Sequence, residues 1–428
     1  MHSQEADIID SRIVVVDEQT SVEEACDILL AEDISCLAVK SGEHSISGLF
    51  DFSDVNAFLT LAATKHTFSS EELQEKPHVD KIFTAARSGH VAVSLVSNLS
   101  EKNPLHTIPY DATLVSLLEL FSRGIHRVLI SSNSHNGEYQ DFIGMVSDRR
   151  LLAWFLSFSQ QSDSEFLRVF LSNPINSFSD SLPSLNLFTS VVATLSTASV
   201  LEAMRLMSEE GVSSIAVLEE EGGTLLSAVS VTDIGKIVVP SQSNQILSMT
   251  LQQFISMIKE QDGSTDGVDR YPVYSILPMS TMLYTMQKIL ATNAHRVFVT
   301  QESSGSSPLL SPMSSGNLTG LVSVVDILSL FARLANVRDV DPARMHRHRR
   351  ASSVSSQTSQ TSSRSDHSRS SSRTGIRRTL SAKTQHSPIN NNSSGHKRTT
   401  SSSVTASAQS PSAGGNTVFS GDIPKSPT

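Results

Sequence analysis

The sequence predicts an α/β repeat protein, four β-α-β-β-α units followed by a tail with no core of its own. Three observations carry that prediction. The first is a strand-to-helix corner that occurs four times: Gly48-Leu-Phe-Asp51-Phe-Ser-Asp54-Val, Gly144-Met-Val-Ser147-Asp-Arg-Arg150-Leu, Ala228-Val-Ser230-Val-Thr-Asp233-Ile and Gly320-Leu-Val-Ser323-Val-Val-Asp326-Ile. Such self-similarity marks a repeat architecture. The second is a helix start placed upstream of each corner, at Ser21, Thr113, Ser199 and Thr281, with apolar residues following at helical spacing. The third is composition. Hydrophobic residues make up only 38% of the 428-residue chain, below the globular norm, so part of it is expected to stay unfolded.

In chain order, repeat one opens with a strand at 13–16. Its helix is signalled by Ser21-Val-Glu-Glu24, a capping-box spacing, and buries Val22, Ala25, Cys26 and Leu29. Strands at 36–39 and 46–50 follow, then a closing helix over 54–63. Repeat two has Thr113 at the cap, Leu114, Leu117, Leu118 and Phe121 inside, strands at 127–130 and 143–146, and a closing helix over 150–158. Repeat three caps at Ser199, packs Ala203, Met204 and Met207, and has a strand at 215–217. Repeat four caps at Thr281, packs Met282, Met286 and Ile289, has a strand at 297–299, and carries a Ser/Gly/Pro-rich insertion over 301–317. The expected domains are a leading segment 1–11, repeats at 12–63, 96–160, 185–239 and 270–338, a helical bridge at 64–95, a linker at 161–184, a second bridge at 240–269 and a tail at 339–428.

Charge divides the chain. From Arg344 onward 13 basic residues face two acidic ones, a net of +11, whereas residues 1–343 hold 20 basic and 41 acidic residues, a net of −21. The tail is Ser-, Thr- and Arg-rich with almost no apolar runs, so it is expected to be disordered. Two cysteines, Cys26 and Cys36, rule out a disulfide framework and a four-cysteine zinc site, and both read as core. Met1–Asp10 lacks the pattern of a signal peptide, and no apolar run is long enough to cross a membrane. A soluble intracellular protein is expected. There is no Gly-rich phosphate loop with a lysine, no Cys/His metal cluster and no GxSxG elbow, so neither catalysis nor a metal site is expected. Nothing points to sequence-specific nucleic-acid binding.

Two side-chain patterns recur in register. Aspartate closes the corner in repeats one, three and four (Asp54, Asp233, Asp326), with Arg150 at that place in repeat two. His-Arg precedes the middle strand in repeats two and four (His126-Arg127, His295-Arg296). A carboxylate can accept two hydrogen bonds from a ribose cis-diol, and guanidinium forks suit phosphate. The other readings stand beside these. Ser-x-x-Asp at a helix start is itself a cap, and a His-Arg pair before a strand can be merely solvated.

With this corner, the repeat resembles the CBS domain, which implies domains folding in pairs and two pairs stacking into a disc with nucleotide clefts. The arrangement is similar to the gamma subunit of AMP-activated protein kinase. That likeness implies adenine nucleotide (AMP, ADP or ATP) as a regulatory ligand. Ribose would be read by Asp233 and Asp326, beside Ser230 and Ser323, and least of all by Asp54. Phosphate would be held by His126, Arg127, Arg149, His295 and Arg296. Repeat one departs from the pattern, with Asp51 where a hydroxyl is expected and Ser35-Cys36 where a basic ligand is. The Arg150 cleft is expected to stay empty, since guanidinium offers ribose hydroxyls no acceptor.

A wider resemblance rests on Leu49-Phe-Asp-Phe-Ser-Asp-Val-Asn-Ala-Phe-Leu59, Leu99-Ser-Glu-Lys-Asn-Pro-Leu105, Val146-Ser-Asp-Arg-Arg-Leu-Leu-Ala-Trp-Phe155, Val239-Pro-Ser-Gln-Ser243 and Arg344-Met-His-Arg-His-Arg-Arg-Ala-Ser-Ser353. On these stretches the chain resembles the fungal Sds family of four-CBS proteins, named for suppressing a type-1 phosphatase defect. The resemblance implies a non-enzymatic regulator that inhibits a type-2A-like protein phosphatase. It also implies roles in cell-cycle progression, DNA replication, septum separation and nutrient stress, in cytoplasm and nucleus. A gamma-type subunit of a kinase complex and a scaffold with empty clefts are the alternatives. In the tail, Ser352, Ser381 and Thr400 follow basic residues, and Ser387, Ser410 and Ser426 precede proline, so the tail reads as a substrate of protein kinases or as a plain solvated linker.

Overall fold

Each repeat builds a three-stranded sheet with one plan: its first strand pairs parallel with the second, and the second pairs antiparallel with the third. The strands are β1 (Val15–Asp17), β2 (Cys36–Ser41) and β3 (Ser45–Asp51); β4 (Thr107–Pro109), β5 (Arg127–Ser131) and β6 (Phe142–Ser147); β7 (Val192–Leu195), β8 (Ser214–Leu218) and β9 (Leu225–Ser230); and β10 (Ser275–Ile276), β11 (Arg296–Gln301) and β12 (Asn317–Ser323). The parallel pair in each unit requires a crossover, which the capped helix supplies. These properties are those of a computed structural model that describes residues 8–42, 45–132, 142–161, 164–181, 191–220, 224–241, 244–261, 275–301, 317–338, 340 and 377–378. Most of the insertion over 301–317, and the tail with its six serine and threonine sites, lie outside these residues. The described part of the tail is Val340 and the two-residue strand β13 (Arg377–Arg378), which pairs parallel with β7.

The middle strands β2, β5, β8 and β11 are buried on both faces, which explains their unbroken apolar runs. A register shift falls at the same point of all four hairpins: Val39/Lys40, Ile130/Ser131, Val217/Leu218 and Val299/Thr300. The helix starts follow from side-chain caps. Ser21, Thr113, Ser199 and Thr281 each accept the N–H three residues on, satisfying a donor the first turn leaves free.

Two large cores run across the repeats. One joins the helices of repeats one and three, with Cys26, Phe50, Phe52, Met204, Met207 and Ile234 among its members. The other joins repeats two and four, with Phe121, Leu151, Met286, Ile327 and Phe331. Sheet faces pack separately: Ala216 and Leu218 of repeat three lie against Phe298 and Leu321 of repeat four. Met204, Met207, Met282 and Met286 are ordinary core residues, and both cysteines are buried and free. Burial pushes the thiols of Cys26 and Cys36 up to about 12, so neither is a ready nucleophile.

Several elements differ from expectation. The closing helix of repeat one starts at Phe52, because Asp51 rather than a later residue caps it, and that of repeat two spans Asp148–Gln161. The segment 161–184 is more than a linker. It holds helices Glu165–Ser172 and Ile175–Ser181, which send Leu171, Ile175 and Phe178 into the repeat two/four core. The bridge at 240–269 likewise contributes Leu251, Phe254 and Ile255 to the other core. Serines and prolines hid this, since the apolar positions between them are few but deeply buried.

Close helix crossing in the repeat one/three core depends on Gly235. A Cβ placed there would lie 2.1 Å from the Phe52 ring, inside any real contact. Overpacking of this kind costs about 1–3 kcal/mol. Gly235→Ala is therefore expected to lower the free energy of urea unfolding by that amount, with Phe52→Leu restoring part of the loss.

Candidate functional site

The four strand-to-helix corners present the same backbone and different side chains. At the fourth, Ser323 N–H and Oγ–H donate to Asp326 Oδ2 at 2.8 and 2.7 Å, and Asp326 N–H donates to Ser323 Oγ at 3.2 Å. The third repeats this at Ser230 and Asp233, with 2.8, 2.6 and 3.2 Å. Both aspartates are caps. At Asp326 the cap bonds fall on Oδ2, and Oδ1 takes no part in them. Cap and ligand roles are thus compatible at one carboxylate. Burial pushes the Asp326 carboxyl up to about 6, against the pull of the Ser323 hydrogen bonds and of Arg296.

Two cavities meet these corners. A small cavity of about 60 Å³ is lined by Asp326 and Ser323 together with Arg296, His295, His126 and Asp148. A wider cleft of about 400 Å³, open to solvent, is bordered by Asp233 and Ser230 with Arg149, Arg127, Lys236 and the same two histidines. The wider cleft falls within the size range of small-molecule sites. Arg150 is exposed and lines neither cavity; its N–H bonds Ser147 Oγ.

The His-Arg pairs work across repeats. Arg296 reaches from repeat four into repeat three, donating to Ser213 Oγ at 2.9 Å and Ser214 O at 3.4 Å. Arg127 makes the equivalent reach from repeat two into repeat one, to Ser35 Oγ at 3.0 Å and Ser35 O at 3.3 Å. There the likeness ends. Arg127 also donates to Asp51 Oδ2 at 3.1 Å and Asn103 Oδ1 at 3.0 Å and is only 8% exposed. The extra carboxylate of repeat one has become the partner of the arginine expected to hold phosphate.

Asp54, expected as a ribose ligand, is fully buried. Its carboxylate accepts from Asp51 N–H at 3.2 Å, Ser100 N–H at 2.9 Å and Asn103 Nδ2 at 3.3 Å, so its lone pairs are committed inside the chain. Burial and the neighbouring Asp51 push it up to about 7. Asp51 is held low: burial alone would raise it, but the Arg127 guanidinium and the Asn103 and Ser53 hydrogen bonds outweigh that. One of the two carboxyls carries the charge that answers Arg127, and the corner of repeat one is a closed network.

Sequence reasoning missed Asp148. It is 1% exposed, accepts from His126 Nδ1 at 2.8 Å and from Arg149 N–H at 2.7 Å, and its own N–H donates to His126 O at 3.0 Å. Burial would raise this carboxyl, but His126 beside it holds it below the usual range. The signal was an acid inside the Ser147-Asp-Arg-Arg150 corner, in register with the His-Arg pair. His295 sits opposite, its ring 5.8 Å from that of His126, and burial pushes its imidazole down to about 3.

The CBS-domain profile matches residues 6–60, 96–157 and 187–239. The unmatched fourth unit has the same sheet plan and corner. Protein sds23/moc1 of Schizosaccharomyces pombe is 30% identical over 307 residues, covering 69% of this chain and 68% of the relative. The chain belongs to the Sds23 family. Protein sds23 of Neosartorya fischeri is 34% identical over 311 residues, which are 72% of this chain and 53% of that protein. The Sds23 chain described above thus spans about half the length of several curated relatives. Among solved structures, protein MJ1225 of Methanocaldococcus jannaschii, described as a candidate archaeal homologue of g-AMPK, superposes with a TM-score of 0.53 at 14% identity. The match covers 76% of this chain and 99% of that one. The protein carries CBS domains in a fold like that of the archaeal protein, and no helix among the described residues is long and apolar enough to cross a membrane.

Removing one partner of a buried ion pair strands the other charge, at a cost of about 3–5 kcal/mol. Arg127→Ala is expected to destabilise the protein by that amount in urea unfolding. Arg296→Ala, which removes the hydrogen bonds to Ser213 and Ser214 and leaves Asp51 paired, is expected to cost clearly less.

Proposed function

We propose that the protein is a non-enzymatic regulator whose CBS core binds an adenine nucleotide and, in response, restrains a type-2A-like protein phosphatase. The observation that carries the nucleotide reading is the cavity at Asp326. It joins a carboxylate with one oxygen outside its cap, a guanidinium and two imidazoles around one cavity. CBS domains commonly bind adenine nucleotides, which supports the same reading. The Asp233 corner offers a second place, while Asp54 has its carboxylate oxygens committed inside the chain and Arg150 offers ribose no acceptor. The phosphatase, the cell-cycle, replication, septum and stress roles and the location in cytoplasm and nucleus rest on membership of the Sds23 family. The gamma-like fold supports a second reading, a subunit of a kinase complex, which co-purification of a kinase pair instead of a phosphatase would establish.

Calorimetry with AMP, ADP and ATP tests the site. Loss of a charge-assisted hydrogen bond is worth about 1.5–3 kcal/mol, or roughly tenfold to 150-fold in affinity. Asp326→Ala and Asp233→Ala are each expected to weaken binding at their own corner by that factor. Unchanged affinity in both would leave the aspartates as caps alone.

Acidity supplies a further test. Asp326 has a folded-state value of about 6 against an ordinary 3.8, so the folded protein holds this proton more tightly than the unfolded chain. Its contribution to apo stability is fully present at low pH and is lost as pH rises through that interval. Ribose recognition needs the ionised carboxylate, so affinity runs the other way. Binding of adenosine, which has no titrating phosphate, is expected to fall by up to about tenfold per pH unit below pH 6, and Asp326→Asn is expected to flatten the profile.

The tail is proposed as a kinase-controlled arm, because its charge opposes that of the body. Each phosphate adds about −1.5 to −2 at pH 7, so about six would cancel its charge. Phosphatase recovery is expected to differ between the intact protein, a chain ending at Val340 and a form with Ser352, Ser381 and Ser410 changed to alanine. Equal recovery at low and high salt would reduce the tail to a linker.

A further inference from the structure

His126, Asp148 and His295 each offer one donor atom, and these atoms lie within 4.8 Å of one another. The residues come from distant parts of the chain, so no spacing in the sequence joins them. The fold brings them together by pseudo-symmetry. His126 and His295 hold the same place before β5 and β11, and Asp148 opens the helix that follows β6. Backbone bonds fix the ends: Asp148 N–H donates to His126 O, and Val324 N–H donates to His295 O, both at 3.0 Å.

A second observation sets this cluster apart from a simple His–Asp pair. His295 Nδ1 is buried and has no hydrogen-bond partner among the described residues. A buried polar atom without a partner calls for an explanation, and a bound ion is one of the few available. The buried Asp148 carboxylate argues in the same direction. It is an acid at the point where a bare phosphate would have to approach, and it suits a cation instead. Arg149 opposes a cation here, while the charge of Arg127 is already answered by Asp51.

We propose that His126, Asp148 and His295 form a binding site for a divalent transition-metal ion of the zinc class. Two imidazoles and one carboxylate are the donor set of open zinc sites, which keep a fourth position for water or a ligand. Such a set favours Zn²⁺ over Mg²⁺ or Ca²⁺, which take oxygen ligands. The ion faces the cavity that Asp326 lines, since all three residues border it.

The test uses the full chain, stripped with chelator, without nucleotide, so that its outcome is independent of the nucleotide reading. Zn²⁺ is titrated by equilibrium dialysis, and Co²⁺ is titrated in parallel by visible absorption, which reports a tetrahedral site. Wild type is expected to bind one tight equivalent that His295→Gln and Asp148→Asn each weaken by at least about 100-fold, the upper end of the loss from removing even an outer-shell partner. The folding midpoint of wild type is expected to rise with Zn²⁺ and that of His295→Gln to stay put. That second readout, with circular dichroism in chelator, separates a lost ligand from a lost fold. Equal Zn²⁺ stoichiometry and affinity in wild type and both variants would place the metal on other histidines and overturn the proposal, as would no binding at all.

Discussion

Each β-α-β-β-α unit makes a three-stranded sheet and two helices, too little to bury its own apolar surface, and the rest of the structure depends on how that deficit is met. The helices solve it across the halves of the chain, repeat one with three and repeat two with four. Sheets solve it between neighbours, as where repeat three meets repeat four. A unit held from both directions has little freedom to shift, and two-way packing explains why backbone features recur closely. The hairpin irregularity sits at the same step in all four units. Against so constant a backbone, differences among the corners are differences of side-chain chemistry.

The corner residue before the closing helix shows this best. Serine caps the helix at Ser147, Ser230 and Ser323, and Asp51 does so in repeat one. The exchange of a hydroxyl for a carboxylate changes what the neighbouring repeat's arginine can do. Arg296 finds a serine hydroxyl and a carbonyl and still borders both cavities. Arg127 finds a charge and is drawn into a buried network with Asp51, Asn103 and Ser35. A buried pair of this kind contributes little net stability relative to apolar packing, yet it is costly to break. Its effect is to commit Asp51 and Arg127 to each other, although both border the wider cleft.

The repeats were legible in the sequence because their signals are local: a cap, a 3.6-residue period, a strand of four apolar residues, a corner. Ser21, Thr113, Ser199 and Thr281 needed no tertiary knowledge to be recognised as helix starts. The segment around Leu171, Ile175 and Phe178 was hidden by its serines and prolines, since three buried side chains outweigh many polar ones only when the partner core is known. The corner aspartates were legible as a pattern, whereas their different fates were not. Whether Asp54 or Asp326 keeps an oxygen to spare depends on Ser100 and Asn103, residues outside either motif. Asp148 was visible as a letter but not as a neighbour of His295, because that contact exists only once repeats two and four share a core.

The competition between capping and binding, which the sequence leaves open at each aspartate, resolves at the level of single atoms. A helix start needs one acceptor, and a carboxylate has two oxygens. At Asp326 both cap donors converge on Oδ2, so the structural task consumes half of the group. Burial then acts on the whole carboxyl, raising its proton affinity and making the ionised form dependent on the positive surroundings that Arg296 supplies. A cap placed at the mouth of a cavity, beside a cation fixed by the neighbouring repeat, is thereby an acceptor whose charge is sensitive to what else enters. Asp54 has the same sequence position but caps against Asp51 instead of a serine, and its other oxygen is taken by Ser100 N–H, which commits both oxygens inside the chain without any change in the aspartate itself.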